Sequence, residues 1–126
     1  MNLLLDTHVL LWWETGVAAL PGEARLMIAD PDNTVFVSTI SLWEIWLKHS
    51  LGKLRLPLHF EERLDGDFFE ILPLTAAHAR QVAKLPWLHK DPFDRMLVAQ
   101  AELEDLLLLT MDKRLGAYGK MVRMVG

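Results

Sequence analysis

Wholly apolar runs bounded by carboxylates or turns most constrain this chain. Leu3-Leu4-Leu5 stops at Asp6, and Leu106 to Leu109 stops at Thr110-Met111-Asp112. Neither run alternates with polar residues, so both read as strands covered on both faces, the habit of parallel sheets. Thr34-Val35-Phe36-Val37 is β-branched and aromatic and reads as another strand, following the turn cluster Asp30-Pro31-Asp32-Asn33. Phe68 to Leu72, closed by Pro73, is a third, and Met121 to Val125 is expected as a fifth at the edge.

Helical segments fall between these strands. One is expected from about Thr7 to Glu14, and Pro21 opens a second over Ala24, Leu26, Met27 and Ile28. Ser38 or Thr39 caps a helix running to about His49, and Pro57 opens another reaching about Leu64. Thr75 caps a helix through Ala83, and Pro86-Trp87 breaks it. Asp91-Pro92 then starts the strongest helix, which reaches about Glu104. Strand–helix alternation predicts an α/β fold of three layers, with a mainly parallel central sheet of four to five strands flanked by helices. The length of 126 residues fits a single domain spanning 1–126.

Composition removes several chemistries. With 0 cysteines there are no disulfides, thiolate zinc sites or thiol nucleophiles. A hydrophobic fraction of 52% excludes intrinsic disorder. The formal charge of −4 argues against nucleic-acid binding through a broad basic face, but not against a nucleic-acid enzyme that holds cations with carboxylates. Asp6 interrupts the first apolar run and no basic segment precedes it, so a soluble cytoplasmic protein with no membrane partner is expected.

In open α/β sheets, ligands bind outside the carboxyl ends of the strands. Asp6 and Asp112 follow strands and should emerge there together. Glu44 and Asp94 lie in the first turns of helices that start near the same edge. The four acids are therefore expected to converge on one pocket. Packed carboxylates repel and raise one another's pKa, and hard divalent cations such as Mg²⁺ or Mn²⁺ relieve that cost. Structural roles compete at each position. Asp6 with Thr7, and Asp112, serve equally well as helix caps, and Asp94 also suits a helix dipole. Glu44 is flanked by Leu42, Trp43, Ile45, Trp46 and Leu47, so it is either functionally buried or paired with Lys48. Asp91 before Pro92 reads as the cap of the last long helix, leaving Asp94 at its third position. The five histidines show no ligand spacing and read as structural or surface groups. Trp12 and Trp13 are adjacent on a short helix, which predicts an exposed aromatic patch covered by a partner. Lys48, Arg95, Lys113 and Arg114 fall beside the acids and are candidate phosphate contacts.

Taken together, Leu4-Leu5-Asp6-Thr7-His8, Ser41-Leu42-Trp43-Glu44-Ile45, Asp91-Pro92-Phe93-Asp94-Arg95-Met96-Leu97-Val98-Ala99-Gln100-Ala101 and Leu109-Thr110-Met111-Asp112 resemble the PIN-domain ribonucleases, specifically the VapC-like toxins of toxin–antitoxin modules. The resemblance runs through nearly the whole chain in the same order, and the stretch from Asp91 to Ala101 is the most specific part. It implies a Mg²⁺-dependent endoribonuclease, with Mn²⁺ able to substitute. It places the catalytic and metal-binding acids at Asp6, Glu44, Asp94 and Asp112, with Thr7 and Thr110 in support. It also implies an RNA substrate, a cognate antitoxin lying over the active site, and a homodimer. A small metal-dependent phosphoester hydrolase and an inactive binding module of the same fold are the alternatives.

Overall fold

A computed structural model describes residues 1–16 and 18–126 of the chain. Strand β1 (Asn2–Leu5) leads into helix α1 (Thr7–Thr15), followed by α2 (Gly22–Ala29), β2 (Thr34–Ser38), α3 (Thr39–Ser50), α4 (Phe60–Gly66), β3 (Glu70–Leu72), α5 (Ala76–Val82), α6 (Pro92–Glu104) and β4 (Leu107–Thr110). A 3₁₀ segment (Lys113–Tyr118) and the edge strand β5 (Val122–Met124) complete the order. The sheet runs β3-β2-β1-β4-β5 and every pairing is parallel.

The apolar strands are buried on both faces because successive side chains point to opposite sides. Leu3, Leu5 and Leu109 pack with Val9 and Leu10 of α1, Ala24 and Ile28 of α2, and Phe60 of α4. Leu4 and Leu108 face the other way, onto Leu97, Val98 and Ala101 of α6 and Leu115 of the 3₁₀ segment. Helix α3 serves both layers, through Ile45 on one side and Ile40 on the other. Truncating any of these leucines to alanine removes roughly 2–5 kcal/mol. A buried polar chain ties the layers at the end of β2. The Ser38 hydroxyl donates to Gln100 Oε1 at 2.6 Å, and the Gln100 amide lies 3.3 Å from His78 Nδ1.

Several boundaries differ from the sequence expectation. Pro21 precedes α2 as its cap and is not its first residue. Helix α4 starts after His59, whose φ of 63° sets a left-handed turn, and not at Pro57. Strand β3 keeps only Glu70–Leu72, and Phe68 is 99% exposed, because β3 is an edge strand paired to β2 alone. The expected Trp12/Trp13 patch is also absent. Both rings are half-buried against the layer of α1, α2 and α4, whereas Trp43, Trp46 and Trp87 are exposed. Among the described residues, no helix is long and apolar enough to cross a membrane.

Away from the strand ends, α1 carries a buried acid. Glu14 is 5% exposed, and its Oε1 and the Oδ2 of nearby Asp67 have no hydrogen-bond partner. Burial first, and then the neighbouring Asp67 carboxyl, push the Glu14 carboxyl up to about 8, against a smaller opposing effect of Arg63. The folded protein thus keeps a proton that the unfolded chain releases near 4.5. This group's contribution to stability is greatest below that pH and falls as pH rises toward about 8. Glu14→Gln mimics the protonated acid. It should raise the melting temperature near pH 8 and flatten its decline between pH 5 and 8 relative to the parent. Melting curves with parallel pH slopes would show that Glu14 is ionised in the fold.

Candidate active site

The parallel register places the first acid. Leu5 pairs with Leu109, and the Asp6 amide continues the ladder by donating to the Leu109 carbonyl at 3.0 Å. Asp6 therefore sits beside Thr110, the last residue of β4. The Thr110 hydroxyl donates to Asp6 Oδ2 at 2.6 Å and accepts from the Asp112 amide at 3.0 Å. The other Asp6 oxygen caps α1, accepting from the amides of His8 (2.8 Å) and Val9 (3.1 Å). Capping and a place in the cleft are thus both true of Asp6, one oxygen serving each. Thr7 makes no contact of this kind; its hydroxyl donates to Ser41 Oγ at 3.0 Å and fastens α1 to α3.

Glu44 and Asp94 arrive on α3 and α6, two helices pinned together by edge-to-face packing of Trp43 on Phe93, with centroids 5.2 Å apart. The Ser38 hydroxyl caps α3 by accepting from Ile40 N. Asp91 caps α6, its Oδ1 accepting from Phe93 N (2.8 Å) and Asp94 N (3.2 Å), with Pro92 at the first position as its spacing predicted. Glu44 is 3% exposed. The two alternatives for it hold together: Oε2 accepts from Lys48 Nζ at 2.5 Å, while buried Oε1 has no partner. Asp112 caps the 3₁₀ segment through Arg114 N, and the Arg114 guanidinium grips both its oxygens at 3.0 and 2.8 Å.

These acids line one cleft of about 310 Å³ with His8, Trp12, Lys48, Asp91, Met111 and Arg114. A larger hollow of about 540 Å³ lies at the opposite, amino end of the strands, but Glu102, Asp105 and Lys120 give it mixed charge and no concentration of acids. In the cleft, burial first and then repulsion from Asp91, Asp6, Glu44 and Asp112 push Asp94 up to about 7. Burial also raises Asp6, against the bonds from Thr110, Val9 and His8. The Arg114 guanidinium holds Asp112 well below the usual carboxylate range.

His89 stands behind two of the cleft's acids, although the histidines read as structural or surface groups in the sequence. It is 6% exposed, and its Nε2 lies 3.1 Å from Asp112 Oδ2 and 3.3 Å from Asp94 Oδ2. Its Nδ1 accepts from the Asp91 amide at 3.0 Å. That bond assigns the ring hydrogen of the neutral imidazole to Nε2. His89 is then a donor to Asp112, with Asp94 close beside it. His89, Asp94 and Asp112 each offer an atom within 4.8 Å of the others, but with the ring in this orientation a cation there would meet the carboxylates rather than the imidazole. Its only signal in the sequence was its place two residues before the Asp91 cap. A divalent cation fits the donor set. The acids are oxygen donors, one buried carboxylate oxygen lacks a partner, and repulsion among the acids is what a cation removes.

The basic residues divide. Arg95 is corrected: it is 4% exposed, and its guanidinium donates to the carbonyls of Pro86 (2.8 Å) and Val82 (3.0 Å) and to Tyr118 Oη (3.2 Å), so it cannot lie along RNA. Lys48 and Arg114 stand at the cleft, each paired with an acid, and Lys113 is exposed beside it.

Metal binding should be visible without any substrate. Without metal, the raised Asp94 lowers stability progressively from pH 3.8 to about 7, because the unfolded chain releases that proton first. Mn²⁺ or Mg²⁺ at pH 7.5 should raise the melting temperature above a monovalent-salt control, by ~2.7 kcal/mol of stability at 100 times the dissociation constant. The rise should shrink as pH falls below about 7 and protons compete at Asp94, and Asp94→Asn should lose most of it. No rise at millimolar Mn²⁺ would remove the cation from the site.

Residues 3–121 match the PIN domain. No curated protein matches the sequence. Among solved structures, the chain resembles VapBC2 from Rickettsia felis bound to a DNA fragment from its promoter, with 17% identity, a TM-score of 0.76 and 100% of both chains covered. It resembles a toxin–antitoxin complex from Klebsiella pneumoniae at 21% identity and a TM-score of 0.67, over 97% of this chain and 96% of that one. FitAcB from Neisseria gonorrhoeae is similar at 23% identity and a TM-score of 0.62, over 94% and 91%. At these identities the likeness is one of fold. The sequence match spans nearly the whole chain, from β1 to the start of the final strand, and on that ground the chain belongs to the PIN-domain family.

Proposed function

We propose that this single-domain chain is a metal-dependent endoribonuclease, cleaving RNA phosphodiester bonds in the cytoplasm as the toxin of a toxin–antitoxin pair. The observation that carries this reading is the gathering of Asp6, Glu44, Asp94 and Asp112 in one cleft at the carboxyl ends of β1 and β4. Membership of the PIN family and likeness in fold to toxin–antitoxin structures support it.

Asp6, Asp94 and Asp112 are the proposed ligands of Mg²⁺, or of Mn²⁺ in its place, with Glu44 completing the acidic set. The cation supplies Lewis-acid activation of water and charge neutralisation at the phosphodiester. The chain's own groups prepare the ground. Thr110 fixes the carboxylate plane of Asp6, and His89 donates to Asp112 while its ring lies 3.3 Å from Asp94. Glu44 keeps one buried oxygen without a partner, charge that a cation in the cleft would offset. Lys48, Arg114 and exposed Lys113 are the proposed phosphate contacts. The proposed antitoxin lays apolar residues over exposed Trp43 and Trp46 on α3 and a basic side chain into the adjoining cleft. A homodimer is part of the same proposal and rests on the family resemblance.

The test is cleavage of single-stranded RNA with Mn²⁺, alongside small phosphomonoesters. RNA should be cut and the monoesters left intact; the reverse would make the chain a small-molecule hydrolase. Asp6→Asn or Asp94→Asn should lower RNA cleavage by at least ~10²-fold with the fold retained, the scale of removing a central electrostatic group. Full activity in either variant would sink the mechanism. Asp91→Ser keeps a capping oxygen, should cost at most about 1 kcal/mol of stability, and should leave most activity. Asp94→Ser, three residues on, should be inactive because serine is no anionic ligand. A dead Asp91→Ser beside an active Asp94→Ser would reverse the assignment of cap and ligand.

A further inference from the structure

The loop between α5 and α6 presents a tryptophan to solvent beside the acidic cleft. Trp87 is 78% exposed, yet its ring is held. The guanidinium carbon of Arg95 lies 3.8 Å from the ring centroid. Arg95 is itself buried and anchored through the Pro86 and Val82 carbonyls and Tyr118 Oη. Tyr118 fastens the loop further, its hydroxyl donating to the Pro86 carbonyl at 3.0 Å and accepting from the His89 amide at 3.1 Å. A fixed cation thus backs one face of the indole, and its high exposure leaves the opposite face to solvent.

The surroundings point to the occupant. A hollow of about 420 Å³ is lined by Trp87, Leu88, His89, Lys90, Asp91 and Arg114, and it shares Asp91 and Arg114 with the acidic cleft. Lys90 is exposed there and forms no ion pair among the described residues. A flat aromatic face held rigid, a lysine beside it and a phosphodiester-cleaving centre next door together match one nucleotide of a single strand, whose base stacks while its phosphate meets the cation. We propose that Trp87 is a stacking platform for a nucleobase flanking the scissile phosphate, with Lys90 at the neighbouring phosphate and Arg95 as the residue that positions the platform. This rests on the ribonuclease reading above. It also gives Arg95 a link to RNA that is indirect, through the ring it supports.

Steady-state cleavage of a short single-stranded RNA with Mn²⁺ tests the platform in the full chain. Trp87→Leu should raise KM roughly tenfold, the size of one lost base stack, with kcat moving less than about twofold. Trp87→Phe keeps an aromatic face and should recover most of the loss. In a second arm, abasic sites are placed one at a time along the substrate. At one position the abasic site should raise KM for the parent enzyme and add nothing to Trp87→Leu. The abasic series on the parent alone decides the matter if Trp87→Leu folds poorly, since a KM indifferent to every abasic position overturns the platform. Equal KM for parent and Trp87→Leu overturns it too, as does an unchanged KM with an altered oligomeric mass, which would assign Trp87 to a protein interface. If the parent binds Mn²⁺ but cuts no RNA at all, the ribonuclease reading fails first and this inference with it.

Discussion

Carboxylates confined to a small cleft repel one another, and much of the local structure answers that repulsion. Thr110 and two backbone amides share Asp6 between them, so its two oxygens are held by opposite neighbours. Lys48 neutralises one side of Glu44, and Arg114 grips Asp112. Among the described residues, Asp94 has no cationic partner, only the His89 ring 3.3 Å away, and burial together with the neighbouring acids pushes its carboxyl up to about 7.

Topology explains why the acids meet at all. With β1 central and all strands parallel, the chain leaves β1 and β4 at the same edge; the β1–β2 and β2–β3 connections place α1, α2 and α4 on one face, and the later ones place α6 and the 3₁₀ segment on the other. The ends of β1 and β4 lie side by side, so Asp6 and the Thr110–Asp112 turn are neighbours by register alone. Helices α3 and α6 then approach from the two layers and contribute one acid each. Two of the four acids are set by strand pairing and two by helix capping and packing, which are independent constraints converging on one place.

The parts of this arrangement written locally were legible in the sequence. Asp6 and Asp112 follow apolar strands, and Pro92 fixes which of Asp91 and Asp94 is the cap, as the amide bonds to Asp91 show. What depended on distant partners was not legible. His89 meets Asp112 across 23 positions, and no spacing rule spans that gap. Arg95 is charged and beside an acid, which reads as surface, yet the carbonyls of Val82 at the end of α5 and of Pro86 in the following loop satisfy it inside the fold. Trp12 and Trp13 cannot share one face of a helix, but α1 is itself packed on several sides, so both find cover. Phe68 has strand propensity and no partner strand on its outer side.

The orientation of the His89 ring has a further consequence. Imidazole nitrogen is the donor that zinc, nickel and copper seek, and a histidine among carboxylates ordinarily favours those ions. Here one nitrogen accepts the Asp91 amide, and the other points its hydrogen at the acids. A cation entering the cleft would then meet carboxylate oxygen rather than imidazole nitrogen. One backbone hydrogen bond, made at the ring's far nitrogen, would withhold from such a cation the donor that favours the softer metals.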